Sequence, residues 1–285
     1  MRRVLPALVL LIGATGDLEA RVTRLVAELA APTRSARLAA QSELAALPPE
    51  ADPLLAAAVA PDGFEPRAAL DYLRVHRPRP PRAIAIAAGN YRVGSDAPLD
   101  RNPRREVALA AFTIDETETT SFEWWRFVQA TGAASPRGWL GGRFDYGAER
   151  RPVAGLSSDD AKRYAEWCGG RLPTSDEWEV AAHGGRATAF PWGDEEDGPF
   201  TLRVNLARGG AVPEVATNPD DRSPFGVVDL AGSLQEWVIA ADGTPGVRGG
   251  YWRTGQHDLL RVTRAADTRA VRARDVVGFR IVGRR

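Results

Sequence analysis

The chain has 285 residues, 44% of them apolar, with 37 Lys+Arg against 37 Asp+Glu, which places it among globular proteins and outside the disordered class. Zero formal net charge argues against a general nucleic-acid binder, and a single cysteine, Cys168, excludes an intrachain disulfide or any chemistry that needs two thiols of one chain. The positive charge is almost all arginine, Lys162 being the one lysine, so planar bidentate and stacked contacts are favoured over Schiff-base chemistry.

Met1-Arg2-Arg3 precedes an apolar run from Val4 to Ala14 and a small-x-small site, Ala14-Thr15-Gly16, the pattern of a secretory signal over residues 1–16. Such a run is too short for the roughly 30 Å of hydrocarbon in a bilayer, so export without stable membrane insertion is expected. The same residues leave a second reading, a buried first strand, although GATGD is not a full dinucleotide-binding fingerprint. Over residues 17–76 Leu18, Val22, Leu25, Val26 and Leu29 recur at helical spacing, and Leu38, Leu44 and Leu47 continue after Pro32, which predicts a small helical segment broken by prolines. Residues 77–82, Arg-Pro-Arg-Pro-Pro-Arg, are expected to be an extended linker, because each proline pushes its predecessor out of the helical region.

Residues 83–285 hold all eight tryptophans and form a second domain. Three short helices are predicted from their caps: Thr120 with Glu123 before a run ended by Gly132, Ser157 before a run ended by Gly169, and Thr174 with Glu177 before a run ended by Gly184. Strands are expected over 105–115 and 279–282, the latter with Phe279 inward and Arg280 outward, and Trp178 and Trp192 as core residues with partnered indole N–H groups.

The ordered series AAGNYRVGS (87–95), FTIDETETT (112–120), PVAGLSSDDAKRYAEWCGGRLPTSDEWEVAAHGG (152–185), FPWGDE (190–195), SPFGVVDLAGSLQEWV (223–238), RGGYW (248–252) and VGFRIV (277–282) resembles the formylglycine-generating enzyme, or sulfatase-modifying factor, family. The resemblance covers residues 83–283 and implies an α+β, C-type-lectin-like fold with few regular elements, often with bound calcium. In the family's catalytic branch it further implies a copper-binding cysteine pair after the RGG-aromatic motif. Here that stretch reads WRTGQHDLLRV (252–262), without cysteine, so no copper and no oxidase activity are expected. An iron-binding histidine cluster is also missing, since His76, His183 and His257 stand apart.

The resemblance implies a calcium site made by the carboxylates of Asp229 and Glu236 and the carbonyls of Gly232 and Leu234, while a second family site beginning at Asn205-Leu206 is expected to be lost. It also places a ligand groove at Trp252, Arg253, Gln256, His257 and Arg261, within a stretch (248–285) that carries ten Arg against three Asp and suits an extended, carboxylate-bearing ligand. The expected function is therefore an exported, non-catalytic member that binds a protein or peptide. Two alternatives stay open: an oxidoreductase of the family with non-cysteine ligands such as His183 and His257, and a diversified lectin-fold protein that displays a variable ligand-binding surface.

Overall fold

The computed structural model describes residues 7–45, 47, 51–76, 81–145, 147–194, 211–253, 257–265 and 274–284, with the backbone alone at 7–15, 71–72, 74–76, 257 and 274. The chain divides into two compact units, residues 1–79 and 80–285.

The first unit consists of α1 (Ala7–Glu28), α2 (Arg34–Ala45), α3 (Asp52–Ala57) and α4 (Phe64–His76). Val22, Leu25 and Val26 lie on one face of α1 at helical spacing and are buried, as are Leu29 just after it and Leu44, Leu55, Leu70 and Leu73 of the other three helices. The backbone is α-helical from Ala7 through Gly16 into the amphipathic part of α1, which overturns the strand reading of that segment. Among the described residues no helix is long and apolar enough to cross a membrane.

The second unit is α+β, with three small sheets instead of one large one. Strands β1 (Ala83–Ile86) and β4 (Phe112–Asp115) pair antiparallel, as do β2 (Gly89–Val93) and β3 (Arg105–Leu109). β5 (Gln235–Ile239) lies between antiparallel β6 (Pro245–Arg248) and parallel β7 (Val277–Gly278). The strand expected over 105–115 is thus two strands, and the one expected over 279–282 is not a ladder: Val282 makes isolated bridges to Ile114 and Arg171.

Helices α5 (Ser121–Thr131), α6 (Ser158–Trp167) and α7 (Ser175–His183) begin at the caps read from the sequence, each with a reciprocal capping box. In α6 the carboxylate of Asp160 takes the role that Glu plays in the other two. α5 and α7 end at Gly132 and Gly184 in the left-handed region, where a Cβ is disfavoured.

With so little ladder, packing and buried polar links hold the unit together. Trp124 is stacked on Tyr164 and meets Phe127 and Phe279 edge-on, joining α5, α6 and the C-terminal segment. Trp178 is fully buried in the other core cluster, but its indole N–H has no hydrogen-bond partner among the described residues, contrary to expectation. Gly250 allows the close approach expected of the RGG motif, since a Cβ there would sit 2.3 Å from the Ala231 carbonyl oxygen.

The largest departure from the sequence reading is Arg280, which points inward and is fully buried. Its guanidinium donates to both oxygens of Glu236 at 2.7 Å and to the carbonyls of Asp115, Glu116 and Val228. Glu179 forms a comparable link, accepting from the Gly94 amide and the Asn102 side chain and facing Arg248 at 2.9 Å.

Candidate functional site

The N-terminus of α5 positions the wall of an open cleft. The Ser121 and Phe122 amides donate to the carbonyls of Arg151 and Glu149 at 2.8 and 3.1 Å, and the Val153 amide donates to Thr119 at 2.9 Å. These bonds fix segment 149–153 against the helix start. Arg150 in turn donates to Glu214 and to the Val215 carbonyl, and the Val215 amide donates back to Arg150, which brings Val212 to the same place.

The opposite wall is the loop Pro136–Phe144, made of the residues PRGWLGGRF. Trp139 meets Phe144 edge-on at 5.5 Å, and Phe144 packs on Phe122 and Trp125. The Arg143 guanidinium lies 5.5 Å over Trp125 and 5.6 Å over Phe144, a cation–π arrangement that braces the loop, and burial lowers its pKa against the opposing charge of Glu149. The cleft encloses about 680 Å³ and is lined in part by Ser121, Arg137, Trp139, Phe144, Arg151 and Asp275.

Of the groove expected after the RGG motif, one part reaches this cleft. Arg253 stacks 4.2 Å over its neighbour Trp252 and pairs at 3.4 Å with Asp275, which lines the cleft. Arg261 does not line it: its Nε donates at 3.1 Å to both oxygens of the fully buried Asp100, which also accept from Thr263 and Ser95. A buried carboxylate requires such donors, and that need has turned Arg261 into an internal tie. Gln256 and the His257 side chain lie outside the described residues. Arg137, Trp139 and Arg151 escaped the sequence reading, although the Gly-rich, aromatic loop PRGWLGGR carried a signal for the first two.

The four residues of the expected calcium site share one buried region with Glu118 and Asp221. Both oxygens of Glu236 accept from Arg280, Asp229 accepts from the Ala216 amide at 2.6 Å, and the Gly232 and Leu234 amides donate to Asp221 and Glu118. So Glu236 is engaged by a guanidinium, and toward Asp221 and Glu118 the backbone presents the amides of Leu230, Ala231, Gly232 and Leu234 as donors, while the Ser233 carbonyl accepts from the Trp252 amide. Among the described residues no group of three or more His, Cys, Asp or Glu side chains is arranged to hold a metal. Burial raises Glu118 well above the carboxylate range, with Asp229 and Glu236 adding to it, and burial with Asp229 pushes Asp221 up to about 7. Asn205 and Leu206 lie outside the described residues.

Redox and nucleophilic candidates are closed in. Cys168 caps α6, and burial raises its thiol pKa. His183 is fully buried, its Nδ1 accepting from the Ala187 amide and its Nε2 lying 3.6 Å from Glu179.

Comparison with known proteins matches residues 71–285 to the family model for the sulfatase-modifying factor enzyme 1-like domain. The protein named formylglycine-generating enzyme of Mycobacterium tuberculosis is 37% identical over 128 residues, 41% of this chain and 42% of that protein, so the chain spans less than half of that relative. A mouse protein named inactive C-alpha-formylglycine-generating enzyme 2 is 26% identical over 277 residues, 73% of this chain and 87% of that protein. In fold, the chain is similar to PvdO from Pseudomonas aeruginosa, with a TM-score of 0.57 and 22% identity over 72% of this chain and 98% of that one.

Proposed function

The chain belongs to the sulfatase-modifying factor family, and from that premise we propose that it is an exported, non-catalytic member that binds a protein or peptide in the cleft between Trp139 and Arg151. The observation that carries this reading is the single thiol of the chain. A soft Cu(I) centre needs a pair of thiolates, whereas Cys168 is alone, its thiol pKa raised by burial. The existence of a mouse relative named as inactive is consistent with loss of chemistry on this scaffold. Export rests on the arginine-led apolar segment before Ala14.

Incubated in air with copper and a cysteine-bearing sulfatase peptide, the purified protein is expected to leave the peptide mass unchanged in mass spectrometry. An aldehyde product captured by a hydrazide reagent would overturn the non-catalytic reading.

The residues present do not fit the structural calcium expected at Asp229, Gly232, Leu234 and Glu236: Arg280 takes both oxygens of Glu236, the Gly232 and Leu234 amides donate to Asp221 and Glu118, and among the described residues no three His, Cys, Asp or Glu side chains are arranged to hold a metal. Tm is therefore expected to move with neither calcium nor chelator, whereas a stabilisation of about 2.7 kcal/mol at a hundredfold excess over Kd, reversed by chelator, would restore the ion.

A further inference from the structure

The cleft holds arginines that are not committed to a carboxylate, unlike several that tie the second unit together. Arg105, Arg150, Arg171, Arg248, Arg253, Arg261, Arg280 and Arg284 each face a carboxylate. Arg137 and Arg151 line the cleft, and among the described residues neither guanidinium has an ion-pair or hydrogen-bond partner. Of the two lining carboxylates, Asp275 already faces Arg253 and Asp145 is exposed, so two arginines stand against one uncommitted carboxylate in the lining. Guanidinium groups held in a concave site without partners are set up for bidentate contact with carboxylates.

Beside them is an apolar step. Trp139 lines the cleft half-buried with Phe144 behind it, and the next residue, Leu140, which does not itself line the cleft, is 83% exposed, one of the largest apolar exposures among the described residues. Charge and apolar surface therefore lie side by side along an open trough, the arrangement that an extended chain with alternating side chains can fill.

We infer that the cleft recognises an acidic peptide segment, with Arg137 and Arg151 taking its carboxylates and the Trp139–Leu140 step taking a neighbouring apolar side chain. This inference rests on the cleft being the binding site proposed above and adds the class of ligand. Glutamate or aspartate next to a leucine-sized residue is the minimal motif.

Fluorescence anisotropy with the full chain and three short dye-labelled peptides, alternating Glu-Leu, Gln-Leu and Lys-Leu, tests it. The Glu peptide is expected to bind about tenfold or more tightly than the Gln peptide, and Arg137→Ala and Arg151→Gln are each expected to weaken it about tenfold, with binding also falling as salt rises. Because Arg137 is exposed, its substitution leaves Tm unchanged and separates recognition from folding. Equal binding of the Glu and Gln peptides, lost in Trp139→Ala, would overturn the acidic ligand but keep the cleft as a peptide site. Glu-peptide binding unaffected by both arginine variants would overturn the inference, as would preference for inorganic phosphate or a sulfated oligosaccharide over every peptide. Failure of all three peptides to bind would sink the inference and the proposed site together.

Discussion

Replacement of Arg280 by methionine is expected to lower the free energy of unfolding by about 3–5 kcal/mol, the cost of stranding a buried carboxylate. Methionine fills much of the same space, so cavity formation is not the main effect. What is lost is the guanidinium that faces both oxygens of Glu236, together with three carbonyl contacts that tie β4, the 228 turn and the C-terminal segment. Glu236 is fully buried, and beside burial it and Asp229 already hold the carboxyl of neighbouring Glu118 above the usual range, so the region accommodates a further unpaired negative charge poorly. Urea unfolding in chelator measures the effect. The double variant Arg280→Met with Glu236→Gln is expected to recover a substantial part, because it removes the orphaned charge. A single variant within about 1 kcal/mol of the parent, or a double variant no more stable than the single, would show that this pair does not hold the fold.

The second large effect is a pH dependence centred on Asp115. Burial pushes its carboxyl from 3.8 up to about 7, against the pull of Arg284, whose guanidinium donates to it at 2.9 and 3.1 Å while also facing Glu123. The folded protein therefore binds this proton more tightly than the unfolded chain. The stabilisation is complete below about pH 4 and is lost progressively as pH rises to about 7. A shift of this size corresponds to on the order of 4 kcal/mol as a ceiling, at 1.36 kcal/mol per unit. Groups with lowered values, Asp160, Glu177 and Glu179, work in the opposite sense and weaken the fold as pH falls. The informative quantity is hence the difference between the parent and Asp115→Asn, which keeps an acceptor for Arg284 without the titrating proton. Between about pH 4 and about pH 7 the parent should lose stability relative to the variant by a few kcal/mol. Parallel unfolding curves across that range would refute the assignment.

Both effects come from charges that the linear pattern did not locate. Period and polarity assign Arg280 to the outer face of a strand, yet Phe279 and Arg280 are both fully buried, because beyond Gly278 the chain leaves the β5–β7 ladder and passes between β4 and the 228 turn. Two-residue alternation holds only where one face meets water, and here neither side does. Arg261, which the resemblance assigns to a groove, donates to Asp100, 161 residues earlier, and Arg253 pairs with Asp275, a lining residue of the cleft.

What the chain settles on its own is local or cumulative. Helix starts at Thr120, Ser157 and Thr174 follow from hydrogen bonds that close within three residues, and the buried face of α1 follows from a spacing of three and four. The absence of a second thiol is settled by composition, and family membership by many motifs in order. Tertiary structure alone decided which carboxylate each buried arginine meets and which arginines are left facing the cleft. Those pairings join residues 44 to 169 positions apart, and burial, which makes an uncompensated charge costly, selects among them only after the backbone has brought the candidates together.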